Sequence, residues 1–107
     1  MKILILLILA ATLSLGGCAS LIQSASVSEA YKHYELQKYE RTLELITQAE
    51  NADAMSDDMK AELTYLKAQT YERLGLYDTA QALYEYLAKE HGKTQYGYIA
   101  VKQLNAS

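Results

Sequence analysis

The side chains of this sequence that are best suited to chemistry are one cysteine and two histidines. Cys18 could act as a nucleophile, as a metal ligand or as the acceptor of a covalent group. His33 and His91 lie far apart, and neither has a second cysteine or a carboxylate cluster at a spacing typical of a metal site. We therefore expect structural roles for both histidines and no bound metal.

Sequence motifs of catalysis are missing as well. The chain has no glycine-rich phosphate loop and no serine nucleophile elbow. Asp57 and Asp58 are adjacent carboxylates, but they follow Ser56 at a predicted helix start, where the helix dipole favours negative charge. We expect no catalytic residue and a protein that is not an enzyme.

The segment before Cys18 has the order of an export signal. Met1-Lys2 is followed by an apolar run that ends in small residues. A transmembrane helix is the alternative, but it needs about 20 apolar residues and this run is shorter. Leu15-Gly16-Gly17-Cys18 resembles a bacterial lipobox, in which cleavage leaves the cysteine as the first residue, carrying a diacylglyceryl group.

This resemblance implies a lipid-anchored protein with a signal peptide (1–17), a lipidated cysteine and tether (18–25) and a helical domain (26–107). A lone cysteine is more often a buried small residue or a free thiol. Each buried CH₂ of an acyl chain contributes about 0.8 kcal/mol, so two or three chains would hold the protein at the membrane. We expect no cofactor besides this covalent lipid. Leu21 and Ile22 could belong to the tether or begin the first helix.

Ala19 indicates which bacterial membrane would hold the protein. In Gram-negative lipoproteins an Asp at this position resembles an inner-membrane retention signal, so Ala19 implies the outer membrane, facing the periplasm, if the source is Gram-negative. The formal net charge of −3 and the absence of a basic patch make nucleic acid an unsuitable partner. The lipid anchor, not the folded part, would then make the membrane contact.

The stretch from Ala61 to Leu87 has the spacing of a complete helical hairpin. Small, aromatic and glycine residues recur there at the offsets of the tetratricopeptide repeat, which the stretch resembles: Ala68, Tyr71, Gly75, Tyr77, Ala80, Tyr84 and Leu87. An earlier, degenerate copy matches at Ala30, Tyr39 and Ala49. It departs from the pattern at His33, Gln37 and Thr42.

The resemblance implies an all-α fold, with two stacked hairpins and a C-terminal capping helix forming a short α-solenoid. The spacing of apolar residues predicts a first helix from Ser26, a break near Gln37-Lys38 and a second helix from Tyr39 to Glu50. Ser56 is the predicted cap of the third helix and Asp78 of the fourth. A fifth helix is predicted over 94–104. Buried positions are predicted at Leu74 on the third helix and, by the repeat pattern, at Tyr71, Tyr77 and Tyr84.

A concave groove for a partner is the function that the resemblance implies. Its lining positions, carried over to this sequence, are Val27, Tyr31, Tyr34, Glu35, Glu62, Tyr65, Gln69, Glu72 and Arg73. Tyrosines with scattered charges suit a peptide or a helix of another envelope protein. We expect an adaptor or assembly factor. The alternative is a structural lipoprotein that self-associates into a homo-oligomer through the apolar terminal helix.

Overall fold

The protein is described by a computed structural model that covers residues 25–52 and 55–106. The predicted signal peptide (1–17), the lipidation site Cys18, and Leu21 and Ile22 lie outside the described residues. Within the described residues, no helix is both long enough and apolar enough to cross a membrane.

All regular elements in this part of the chain are α-helices. They are α1 (25–35), α2 (Tyr39–Glu50), α3 (Asp57–Arg73), α4 (Tyr77–Glu90) and α5 (Gln95–Ala106). α3 contacts α2, α4 and α5, and α4 also packs against α5. The predicted all-α fold, with two stacked helical hairpins followed by a terminal helix, is confirmed.

The hairpins stack because apolar residues recur at helical spacing on the faces that meet. In α2 the buried residues are Thr42, Leu45, Ile46 and Ala49, a spacing of three or four that forms one stripe along the helix. This stripe packs with Ala30 of α1 and with α3 in a first core. α2 begins and ends where the sequence predicts.

α3 is the central helix because it contributes to two cores on different sides. Leu63 and Leu66 pack against α1 and α2 in the first core. Ala61 and Ala68 belong to a second core with Ala80, Tyr84, Leu87 and Ala100 of α4 and α5. Ala68 and Ala80 are 0% and 1% exposed, so only small side chains fit where α3 and α4 approach.

Both hairpin turns have the same backbone conformation and the same pattern of hydrogen bonds. Gly75 has φ 80°, the left-handed conformation predicted for it, and Gln37 has φ 61° at the corresponding place. The amides of Lys38 and Leu76 each donate to the carbonyl five residues earlier, at 2.8 and 2.9 Å. This is the Schellman pattern that ends a helix. Gln37 therefore takes a conformation that usually favours glycine.

Of the helix starts predicted at Ser26, Ser56 and Asp78, one is right and two are wrong. The Ser56 hydroxyl accepts a hydrogen bond from the Met59 amide at 3.2 Å, so the predicted cap is confirmed. Ala25 is already helical, so Ser26 lies inside α1 and does not cap it. α4 begins at Tyr77, directly after the Schellman turn, and Asp78 lies in its first turn without capping it.

The predicted burial of Tyr71, Leu74, Tyr77 and Tyr84 is confirmed only in part. Tyr84 is 4% exposed, as expected of a core residue, and Tyr71 is partly buried. Tyr77 is 69% exposed and Leu74 is 37% exposed, so for both the prediction was wrong. Tyr77 is the first residue of α4 and lines a cleft together with Gln103 and Leu104 of α5.

Candidate functional site

One face of α3 carries most of the predicted groove residues. Glu62, Tyr65, Gln69 and Glu72 follow one another at steps of three or four residues, which places them on the same side of the helix. All four are partly buried. This face lies between α1 and α5, so side chains from both neighbours can reach it.

Tyr31 joins α1 to this face. Its hydroxyl donates a hydrogen bond of 2.7 Å to Oε1 of Glu62, across 31 positions of sequence. Burial, and then the hydrogen bond to Glu62, raise the pKa of Tyr31. The tyrosine therefore stays protonated at neutral pH and remains a donor, which fixes the carboxylate between the two helices.

Tyr65 is the centre of an aromatic cluster. Its ring centroid lies 5.9 Å from that of Tyr84 on α4 and 5.4 Å from that of Tyr96 on α5, both in tilted arrangements. Burial, followed by the charge of Glu72, raises the pKa of Tyr65. Burial and the charge of Glu62 raise the pKa of Tyr96. Three helices thus share one aromatic surface.

Glu72 is the second carboxylate of this surface. Burial of the Tyr84 side chain, and then its hydrogen bond to Glu72, raise the pKa of Tyr84. The Tyr84 side chain itself is buried, with 4% of its surface exposed. A carboxylate offers about four acceptor sites, so Glu72 keeps acceptor capacity for a ligand.

Arg73, the residue after Glu72 and the last of α3, packs on α1. Its Nε donates to the Tyr34 hydroxyl at 3.3 Å, and its guanidinium carbon lies 6.0 Å from the centroid of the Tyr34 ring. Tyr34 in turn meets Tyr39 edge to face at 5.6 Å. The hydrogen bond to Tyr34 is the main cause that raises the pKa of Arg73.

The nine predicted groove residues all lie on α1 or α3. Seven are partly buried and two are exposed; the exposed ones are Glu35 and Arg73, and the partly buried ones are Val27, Tyr31, Tyr34, Glu62, Tyr65, Gln69 and Glu72. Val27 packs against the first core, so it serves the scaffold.

Tyr96 contacts Tyr65 and so contributes to the same face of α3, although it was not among the residues predicted to line the groove. The Thr94 hydroxyl accepts from the Gly97 amide at 3.0 Å, which reproduces the Ser56 cap of α3 38 positions later. α5 is therefore the counterpart of α3, although Tyr96 itself corresponds to Asp58 and not to one of the predicted groove positions.

We call the resulting surface the tyrosine face and define it by Tyr31, Tyr34, Glu62, Tyr65, Glu72 and Tyr96. Its phenols are neutral hydrogen-bonding groups with large apolar rings, and its carboxylates accept hydrogen bonds and attract cations. This combination binds by contact area, hydrogen bonds and charge.

The histidines lie apart from the tyrosine face. Nδ1 of His33 lies 2.8 Å from the Glu29 carbonyl oxygen, and the His91 ring meets Tyr86 at 5.6 Å. No group of three or more metal-binding side chains occurs among residues 25–52 and 55–106.

No protein-family model, curated protein or solved structure matches this chain. The likeness to the tetratricopeptide repeat is carried by the stretch from Ala61 to Leu87, and the likeness to the lipobox by Leu15-Gly16-Gly17-Cys18.

Proposed function

We propose that this protein is a membrane-anchored adaptor or assembly factor of the bacterial envelope, which binds a peptide or helix of another envelope protein. The observation that carries the proposal is the tyrosine face, where aromatic rings and carboxylates from α1, α3 and α5 form one surface. Hairpins of the tetratricopeptide type present such a surface to a partner.

The chemistry of the tyrosine face suits a polypeptide. Tyrosine supplies large contact area at a low cost in side-chain entropy, which is why it is frequent where proteins bind each other. Glu62 and Glu72 add acceptors at defined places. Two hairpins offer a small contact surface, so affinity should be modest unless a second contact adds avidity.

The anchor in this proposal is the acyl lipid on Cys18. The lipobox-like residues before Cys18 support it, and Ala19 supports the outer membrane, facing the periplasm, in a Gram-negative source. Replacing Cys18 by Ala should abolish incorporation of labelled palmitate and release the protein from the membrane fraction. In such a host, Ala19→Asp should move the protein to the inner membrane. Palmitate labelling of the Cys18→Ala protein would contradict the anchor.

The test of partner binding uses a photo-crosslinking residue in place of Tyr65 in the full chain in cells. It should capture one envelope protein, and Tyr31→Ala combined with Glu62→Gln should lower the captured amount at least several-fold. Tyr86→Ala is the matched control, because Tyr86 is 49% exposed on α4 and lies outside the tyrosine face. Circular dichroism of each variant checks that the helices persist. Equal capture by the control and by the double variant would overturn the groove assignment.

Self-association is a second candidate function, favoured by the outer surface of α5. Tyr98 and Val101 are 59% and 40% exposed there, three residues apart on one side of the helix. A second copy could cover them. Analytical ultracentrifugation of the full chain in detergent decides: a mass that stays that of a monomer at high concentration would remove this candidate.

A further inference from the structure

The two hairpins repeat with a period of 38 residues, and the helix that follows each hairpin repeats as well. The left-handed turn residues are Gln37 and Gly75. The capping hydroxyls of α3 and α5 belong to Ser56 and Thr94, each accepting from the amide three residues later. The surroundings of the first hairpin can therefore be compared with those of the second, position by position.

In the first hairpin, a cation covers the aromatic residues beside the turn. The Nε of Arg73 donates to the Tyr34 hydroxyl at 3.3 Å, and its guanidinium lies over the Tyr34 ring. Tyr34 contacts Tyr39, the first residue of α2, edge to face. Leu74, the residue that ends α3, lines a neighbouring depression together with Tyr39. Arg73 and Leu74 therefore both lie against this end of the first hairpin.

In the second hairpin, the corresponding place is an open cleft of about 140 Å³. Glu72 stands at the position of Tyr34, and Tyr77 stands at the position of Tyr39. We call this cleft the end cleft; it is lined by Glu72, Tyr77, Ala80, Gln81, Tyr84, Gln103 and Leu104. The first residue of α4 is consequently 69% exposed, whereas Tyr39 is partly buried.

We propose that the end cleft binds an arginine side chain of a partner polypeptide, seated between the Glu72 carboxylate and the exposed Tyr77 ring. This inference rests on the proposed function in taking a polypeptide as the partner, and it adds the chemistry of the residue that the partner inserts. The protein's own Arg73 supplies the geometry.

The exchange of Tyr34 for Glu72 strengthens the argument for a cation. A phenol oxygen accepts one hydrogen bond from Arg73 in the first hairpin, whereas a carboxylate can take two parallel N–H donors from a guanidinium and also carries the opposite charge. Tyr84 occupies only part of the acceptor capacity of Glu72. The partner's guanidinium can meanwhile lie over the Tyr77 ring, as that of Arg73 lies over the Tyr34 ring at 6.0 Å from its centroid.

Arginine fits this site better than lysine for the same reasons. An ammonium is a point charge that cannot contact the carboxylate through a planar fork. The remaining wall of the end cleft includes Ala80 and Leu104, which suit the methylene stem of a long side chain.

The test uses the full chain in a non-ionic detergent, with its tyrosine rings labelled for NMR. The probe is acetyl-Arg-Leu-amide, which copies Arg73-Leu74, and the control probe is acetyl-citrulline-Leu-amide, which has a similar shape but no charge. We expect the arginine probe to shift the ring signals of Tyr77 and Tyr84 and to bind roughly tenfold tighter than the citrulline probe. Equal binding of the two probes, or shifts confined to other tyrosines, would overturn the proposal.

Two variants assign the binding to the end cleft. Glu72→Gln should reduce arginine binding to the level of citrulline, while Glu90→Gln, which removes an exposed carboxylate at the far end of α4, should leave it unchanged. Because Glu72→Gln also alters the contact with Tyr84, Tyr77→Ala provides a second variant at an exposed position, and roughly two- to fivefold weaker binding is expected from the lost ring. Undiminished binding by both end-cleft variants rejects the site.

The outcome is separable from that of the adaptor proposal. The probe experiment needs no natural partner, so it can fail while crosslinking from position 65 still captures one. Conversely, the cleft can bind arginine while the double variant in Tyr31 and Glu62 leaves capture unchanged. If the arginine probe instead competes with self-association of the chain, the inserted residue belongs to a second copy, and the proposal of a different partner is overturned.

Discussion

Gln37 and Gly75 are 38 positions apart and share a left-handed backbone, with φ values of 61° and 80°. In each case the following amide donates to the carbonyl five residues earlier, at 2.8 Å for Lys38 and 2.9 Å for Leu76. The helices that follow also start alike, since Lys38 and Leu76 have nearly equal dihedral angles and neither caps with its side chain. Two different residues thus form the same turn.

This equivalence predicts opposite effects of substitution at the two turns. Gln37→Gly should raise the free energy of unfolding by about 0.5 to 1 kcal/mol, because relief of the left-handed strain exceeds the added entropy of the unfolded chain. Gly75→Ala should lower it by about 1 kcal/mol, and Gly75→Val by more. Among the described residues, no atom outside Gly75 and its two chain neighbours lies within 4 Å of a Cβ placed on Gly75, so the loss would come from the backbone conformation. Urea unfolding followed by circular dichroism measures both, and a destabilised Gln37→Gly protein would contradict the strain argument.

The close approach of the backbone at Gly97 predicts that a larger residue there would displace α5. A Cβ at this position would meet the His91 carbonyl oxygen and lie 2.9 Å from the Gly92 Cα, both backbone atoms that cannot move aside cheaply. Gly97→Ala should therefore cost on the order of 3 kcal/mol by pushing α5 away from the second core. The melting temperature should fall by well over 10 °C, at about 4 to 8 °C per kcal/mol. Asn105→Ala, on the exposed side of α5, is the control and should melt like the parent.

The two equivalent helix caps predict a graded loss of stability. Ser56 accepts one hydrogen bond, whereas the Thr94 hydroxyl accepts from Gly97 at 3.0 Å and donates to the His91 carbonyl at 2.6 Å. Ser56→Ala should cost about 1 kcal/mol, and Thr94→Ala more, because the His91 carbonyl oxygen also loses one of its two donors and keeps only the Thr94 amide. Thermal unfolding of the two variants compares them directly. The reverse order would show that the Thr94 bonds add nothing beyond an ordinary cap.

The buried tyrosines predict sensitivity to alkaline pH. The pKa values of Tyr31 and Tyr84 are raised in the folded protein, first by burial and then by a carboxylate neighbour. Their contribution to stability should be complete below about pH 10, the usual tyrosine pKa, and be lost as the pH rises through the raised values. Each group would contribute a slope of at most about 1.4 kcal/mol per pH unit in this range.

The measurement is the melting temperature from pH 8 to pH 12. Tyr31→Phe should lower stability by about 1 kcal/mol near pH 8, because Glu62 loses a donor, yet its decline above pH 10 should be shallower than that of the parent. Tyr84→Phe should behave likewise. Parallel curves for the parent and both variants would mean that these hydroxyls do not couple folding to protons.

Local patterns in the sequence were enough to predict the helices. The buried stripe of α2, the cap at Ser56 and the turn at Gly75 each depend on residues within one helical turn of each other, and all three are present. The small residues Ala68 and Ala80 also marked the close contact between α3 and α4, because a helix pair can approach only where side chains are small.

The tyrosine face was predictable only in part. Carrying the repeat pattern over placed Tyr31, Glu62 and Tyr65 on two helices, but it could not show that Tyr31 bonds to Glu62 or that Tyr96 joins them. Those contacts depend on how far each helix is rotated and shifted against its neighbours, and sequence spacing within one helix says nothing about that. The 38-residue repeat of the caps was the available signal for α5.

The sequence alone therefore determined which segments are helical, where the second turn lies and which small residues allow packing, since these follow from short-range hydrogen bonding and side-chain size. Only the tertiary structure decided that Gln37 takes a glycine-like conformation, that Tyr77 stays exposed and that Glu72 faces an open cleft. The physical reason is that each of these depends on a neighbouring helix. The hairpin imposes the left-handed conformation on Gln37. Arg73 and Leu74, at the end of α3, lie against the first hairpin, whereas a cleft lies between α5 and the residues Glu72 and Tyr77 of the second.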